Sequence, residues 1–204
     1  MVRIIIAAAL LACVQALQVL QFGGGRAGSI TKVIELKAQL TKLTQGTSNG
    51  VKATSLVRTE IAGIAGQLEK LNKVKKLTAS PLINGNWKLL YTTNDGSSAG
   101  KIGPFVGEVS QLVELGRKRY NNEVALGPLK GTLVATWNNL GDKLWKVRFL
   151  TLQLSIFGIK FQSSQLTAEG TWRMTYLDEN LRILYAKGGK NQNIENIYIL
   201  SKFR

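Results

Sequence analysis

The 204-residue chain contains no histidine, and its one cysteine, Cys13, lies in an apolar leader. Imidazole and thiolate are common zinc ligands and the usual base and nucleophile of acyl-transfer triads, so both chemistries lose their ordinary residues here. No metal, no cofactor and no catalytic residue is expected, and a chain that has shed its leader can form no disulfide. Acidic residues are also few, 12 against 27 Lys and Arg, for a formal charge of +15. The excess is about +8 up to Ser80 and about +7 beyond it. A spread of this kind favours anionic surfaces in general, lipid headgroups and nucleic acid alike.

Long hydrophobic runs are missing as well. The longest, in the leader, holds about eleven apolar residues and falls short of the ~20 that span a bilayer as a helix. With Arg3 before it and Val14-Gln15-Ala16 after it, residues 1–16 read as a signal peptide. Residues 17–29 are basic, rich in small residues and free of acids, as in a transit-like segment. Simple secretion is the alternative address.

What is present is a folded chain, 45% hydrophobic. Between 30 and 80 the pattern is helical: Val33, Leu36, Leu40 and Leu43 recur at spacings of three and four, then Val57, Ile61, Ile64, Leu68 and Leu71. A Gly- and Asn-containing stretch at 44–50 separates the two expected helices. These helices pack on each other or on a sheet, or else one lies on a membrane with Lys70, Lys73, Lys75 and Lys76 near headgroups.

From 81 to 204 the helical period gives way to short strand-like runs at 86–92, 106–115, 120–126, 131–137, 144–150, 152–161, 170–176, 181–186 and 197–202. Within 143–149, Leu144, Val147 and Phe149 switch against Lys146 and Arg148, with Trp145 out of register, and a bulge or bend is expected near Phe157-Gly158. The expected fold is mainly β: an antiparallel barrel or sandwich of about eight or nine strands preceded by two amphipathic helices, with 30–204 as one folding unit.

Two stretches carry a family resemblance: SPLINGNWKLLYTT at 80–93 and WRMTYLDENLRI at 172–183. With VGEVSQLVEL at 106–115, NNEV at 121–124 and LGPLKGTLV at 126–134, they resemble successive strands of the plastid-lipid-associated proteins, the plastid fibrillins. The helix, turn, helix order at the amino end is similar too. The resemblance implies a lipocalin-like barrel, a plastid address, and non-catalytic binding or organising of isoprenoid, quinone, carotenoid or acyl lipids at thylakoids or plastoglobules. It implies a hydrophobic lipid ligand and peripheral association with an anionic membrane or droplet surface as partners. The chain departs from the family at Ala186-Lys187-Gly188-Gly189-Lys190, where an arginine-glycine-acid turn is usual.

Seven residues are candidates for the ligand site: Trp87, Tyr91, Phe149, Trp172, Tyr176, Asp178 and Arg182. Gly85-Asn86-Trp87 is similar to the first strand of lipocalins, which points to Trp87 sealing one barrel end under Arg182. Phe105 and Phe161 are further apolar candidates. Asp178 either orients a ligand headgroup or forms a hairpin turn with Glu179 and Asn180. Two other functions stay open: a lipid isomerase or cyclase working with Asp, Glu, Tyr or Lys, and a basic nucleic-acid-binding module.

Overall fold

The computed structural model describes residues 27–188 and 193–203. The expected signal peptide and most of the transit-like segment therefore lie outside the described residues. The described residues from Gln39 onward form one compact unit, and 27–38 belong to a separate one.

Helix α1, described over 27–44, begins before the expected helical stretch at 30, and helix α2 follows at Ser55–Lys70. Between them Gly46, Ser48, Asn49 and Gly50 all take positive φ. Thr54 caps α2 by accepting a hydrogen bond from the Val57 amide. Along α2 the apolar period buries Ile61, Ile64, Ala65 and Leu68. Glu69 accepts from Thr175, and the Leu177 amide donates to Asn72, so α2 lies on the protein's own sheet. A free membrane-lying α2 does not fit, because its apolar stripe is already covered.

Eleven strands follow among the described residues. They are β1 (Gly85–Thr92), β2 (Lys101–Ile102), β3 (Phe105–Val106), β4 (Glu108–Glu114), β5 (Arg119–Leu126), β6 (Leu129–Asn139), β7 (Leu144–Ile156), β8 (Ile159–Gln165), β9 (Glu169–Leu177), β10 (Leu181–Gly188) and β11 (Asn196–Phe203). The main sheet runs β6-β5-β4-β1-β11-β10-β9-β7, and pairing of β6 with β7 closes it into an eight-stranded antiparallel barrel. Strand β8 is extra: it pairs with the second half of β7, whose first half pairs with β9. β2 and β3 form a separate small hairpin.

The expected strands at 144–150 and 152–161 are in fact one 13-residue strand, β7, then a turn and the start of β8. The break in alternation is a bulge at Leu150, left without a partner between Phe149 and Thr151, whereas Phe157-Gly158 is the β7–β8 turn. Upstream of the bulge the inward residues are Trp145, Val147 and Phe149. Trp145 is thus in register, and Leu144 is the residue that faces outward. Indole volume decides this, since Trp145 stacks on Trp137 at 4.1 Å inside the barrel.

One end of the barrel is filled and covered. Trp87, Trp137, Trp145, Trp172, Tyr120 and Met174 occupy it with the aliphatic residues of β4 and β11. Leu77 and Ile83, from two 3₁₀ turns at Leu77–Ala79 and Pro81–Ile83, join the same cluster, and Thr78 ties the first turn to Asp142 and Gly141 in the β6–β7 connection. Burying side chains of this size supplies the main driving force in a chain without disulfides.

Candidate functional site

Inward and outward faces follow from register, because paired residues in an antiparallel sheet share a face. On β1, Trp87 and Leu89 point inward, and a bulge at Leu90 then turns Tyr91 outward. Tyr91 pairs with Ile199, Ile199 with Ile183, and Ile183 with Tyr176. These residues form a second buried layer on the outer face of β1, β11, β10 and β9, the face that carries α2. Two of the seven candidate residues, Tyr91 and Tyr176, therefore sit outside the barrel, beneath the helical layer.

Four others line the interior. Trp87 and Arg182 are brought together as expected, with the guanidinium 4.9 Å from the indole centroid and both residues fully buried. The indole N–H donates to the Ile83 carbonyl at 2.9 Å, and Lys202 lies 5.1 Å from the same ring while donating to Leu82. Trp172 is buried edge-on to Tyr120 at 4.6 Å. Phe149 is half-buried against the same cluster. The last candidate, Asp178, accepts from the Asn180 and Leu181 amides and from the Tyr176 hydroxyl at 2.7 Å. It is the hairpin residue of the β9–β10 turn.

The most unusual electrostatic feature is Arg182. Burial lowers its pKa to about 10, and the nearby Tyr120 opposes that shift. No carboxylate pairs with it: Nη2 donates to Gln111, while Nε and Nη1 have no hydrogen-bond partner among the described residues. Gln111 in turn donates to Asn122 Oδ1 at 3.3 Å, which also accepts from the Tyr120 hydroxyl at 3.1 Å. A polar line thus runs from Arg182 through Gln111 to the half-buried Asn122. Neither Gln111 nor Asn122 was identifiable from sequence, since an amide in a strand gives no sign of facing inward until register is known.

Beyond Asn122 the interior wall is apolar and only partly covered. Asn122 pairs with Leu133, Leu133 with Leu152, Gly131 with Leu154, and Leu129 with both Leu126 and Ile156. All share the face of Ala135 and Trp137, because β6 runs without a bulge against β5 and the one bulge opposite it falls on β7. Val124, Leu126, Leu129, Leu133, Leu152 and Leu154 are each half-buried. One end of the barrel is thus packed with aromatics, and toward the other its inner wall continues as a partly exposed apolar strip. Phe105 and Phe161, suggested from sequence as wall residues, are instead exposed at 61% and 57%.

The four tryptophans all lie inside the barrel. They are not presented on an open sheet beside a basic groove, the arrangement single-strand readers use for base stacking. Among the described residues no group of three or more Asp, Glu, His or Cys is placed to hold a metal ion.

A family model described as PAP_fibrillin matches residues 34–194. Among curated relatives, the chain is 27% identical over 165 residues to the probable plastid-lipid-associated protein 5, chloroplastic, of Arabidopsis thaliana, covering 80% of this chain and 70% of that one. It is 37% identical over 109 residues to the light-induced protein, chloroplastic, of Solanum tuberosum, covering 50% of this chain and 33% of the relative. It is 33% identical over 122 residues to the chromoplast-specific carotenoid-associated protein C1 of an Oncidium hybrid cultivar, covering 53% and 37%. These last two matches span about a third of the relatives' length. No solved structure matches the chain significantly. With a family match running from α1 to the edge of β11, over a closed barrel whose first strand carries Trp87 under Arg182, the chain belongs to the PAP_fibrillin family.

Proposed function

We propose that this chain is a plastid lipid-associated protein that acts without covalent chemistry. In this reading it accommodates the hydrocarbon chain of an isoprenoid, quinone, carotenoid or acyl lipid along the open half of its barrel. The observation that carries the reading is the half-exposed apolar strip on the interior wall, Val124 to Leu154, leading to the polar line of Asn122, Gln111 and Arg182. Guests with an apolar tail and an acceptor head, such as a quinone carbonyl or a carboxylate, match that sequence of surfaces. The relatives named for plastid lipids and for carotenoids support the same class of cargo and a plastid location, and thylakoids or plastoglobules are the sites this reading proposes within it.

The test is a titration of the full chain with a prenylquinone of short tail, read by quenching of the interior tryptophans. Saturable binding near one quinone per chain is expected, weakened roughly tenfold by Leu154→Lys, which places an ammonium on the apolar strip. Leu154 is half-exposed, so the lysine stem can reach water without unfolding the barrel. Unsaturable partitioning that Leu154→Lys leaves unchanged would refute internal binding.

A further inference from the structure

Three turns meet at the open end of the barrel. The β2–β3 hairpin leads into β4, whose first residue, Glu108, pairs with Ala125 at the end of β5, and Gly107 approaches Ala125 so closely that a Cβ would lie 2.4 Å from its carbonyl oxygen. The β5–β6 turn at Gly127-Pro128 is joined to the β7–β8 turn by a 3.0 Å hydrogen bond from the Phe157 amide to the Pro128 carbonyl. The β2–β3 and β7–β8 turns present apolar side chains to solvent. Phe157 is 81% exposed, Ile159 71%, and Phe105 and Ile156 are exposed as well. Phe161, a bulge residue left unpaired between Lys160 and Gln162, adds a fifth.

Phe157 is more than an exposed ring. Its φ is 48° and that of Gly158 is 80°, the pair of left-handed residues that a two-residue hairpin turn demands. Asn or Asp ordinarily fills the first of these positions, and a bulky aromatic there is strained. With the ring 81% exposed, packing among the described residues does little to offset that strain, which points to a use for the ring outside the fold.

Charge identifies the occupant. Beside each of the three turns stands one exposed lysine: Lys101, Lys130 and Lys160. Lys130 is paired with Glu123, and Glu108 is paired with Lys88, while Lys101 and Lys160 have no ion-pair partner among the described residues. Between Val124 and Ala168 the only acid is Asp142, in the β6–β7 connection at the opposite end of the barrel. The outer face of the projecting strands carries Thr132, Gln153, Ser155 and Ser163, so the apolar groups are confined to the tips.

We infer that the β2–β3, β5–β6 and β7–β8 turns form a docking face for an anionic lipid surface: Phe105, Ile156, Phe157 and Ile159 enter the acyl region while Lys101 and Lys160 meet the headgroups. The inference deepens the lipid-handling reading above and rests on it, for it sets the mouth of the apolar strip against the lipid phase from which a guest would enter. Aromatic and aliphatic tips with lysines at headgroup depth are the general chemistry of interfacial anchoring.

The experiment is flotation of the full chain with vesicles of phosphatidylcholine and phosphatidylglycerol in equal parts, and with phosphatidylcholine alone. The apolar leader is common to every variant, so ratios between variants report the turns. Phe157→Asn with Ile159→Ser should lower binding to the mixed vesicles at least tenfold, without lowering the unfolding midpoint, since Asn accepts the left-handed conformation. Lys101→Gln with Lys160→Gln should remove most of the preference for phosphatidylglycerol and its salt dependence. Wild-type flotation of the Phe157, Ile159 variant overturns the inference. So does a wild-type dimer that the same variant dissociates without changing flotation, which would make a second copy the occupant. Prenylquinone titration of the same variants keeps the two readings apart: loss of quinone binding in wild type with tip-dependent flotation removes the interior site and leaves the docking face, and the converse leaves only the interior site.

Discussion

The buried cation Arg182 offers a quantitative test of how the barrel interior is balanced, through the variants Gln111→Leu, Arg182→Met and the double variant. Burial lowers the arginine pKa well below its ordinary value, to about 10, and at ~1.4 kcal/mol per unit, holding the charge costs the folded state about 3 to 4 kcal/mol. Against this stand the charge-assisted hydrogen bond to Gln111, about 2 kcal/mol, and the desolvated stack on Trp87, about 2 kcal/mol. The contributions nearly cancel, so the intact group adds little net stability and removing half of it is what hurts. Gln111→Leu takes the one partner from a guanidinium whose Nε and Nη1 already lack one, at a cost of about 3 kcal/mol. Arg182→Met removes the charge and fills the space with an unbranched chain, leaving only the Gln111 carbonyl oxygen unpaired, for about 1 to 2 kcal/mol. The double variant removes both polar groups and should fall within about 1 kcal/mol of the parent, a coupling of about 3 kcal/mol. Urea unfolding followed by tryptophan fluorescence measures all four free energies. In a chain of this size Gln111→Leu should lower Tm by about 6 to 12 °C. Additive losses, with the double variant as unstable as the sum of the singles, would refute the reasoning.

Gly50→Ala should cost about 2 kcal/mol or more in urea unfolding, because φ at Gly50 is 100° and a Cβ there would lie 2.1 Å from the Thr92 carbonyl oxygen; an unchanged midpoint would mean that the loop before α2 does not dock on β1. Tyr91, Tyr120, Tyr176, Tyr185 and Tyr198 all have pKa values raised by burial, so the folded chain keeps phenol protons that the unfolded chain releases near pH 10. Their contribution to stability is complete below pH ~10 and is lost as pH rises past it, whereas Arg182, with a lowered pKa of about 10, works in the opposite sense as one group against five. Tyrosinate absorbance should therefore stay low above pH ~10 and then rise together with loss of the tryptophan fluorescence signal, and five independent titrations near pH 10 in folded protein would contradict the burial pattern.

How far the site could be read in advance differs from residue to residue. Trp87 and Arg182 were paired on the strength of a family resemblance and meet at 4.9 Å. Tyr91 and Tyr176 lie in apolar runs and read as wall residues, yet both face the helical layer. On β1 the bulge at Leu90 reverses the facing, and on β9 a bulge at Thr175 does the same between Met174 and Tyr176. A one-residue slip moves every later side chain to the other face, and local composition does not mark where the slip occurs. Gln111 and Asn122 carry no local signal, because their meaning depends on neighbours 71 and 11 residues away in the chain.

By itself the sequence determined the class of protein. Two apolar periods of three and four placed the helices, short β-rich runs between Gly, Asn and Pro placed most of the strands, and the absence of histidine removed the common catalytic sets. Those are local properties, written in the spacing of residues a few positions apart. The tertiary structure alone decided that the sheet closes between β6 and β7, that β7 runs through Leu150 to a turn at Phe157, and that the interior is aromatic at one end and open at the other. Each of these depends on which strand lies beside which, and at what register. That choice is made by burying four indoles and one guanidinium together, a collective packing energy that no short window of sequence contains.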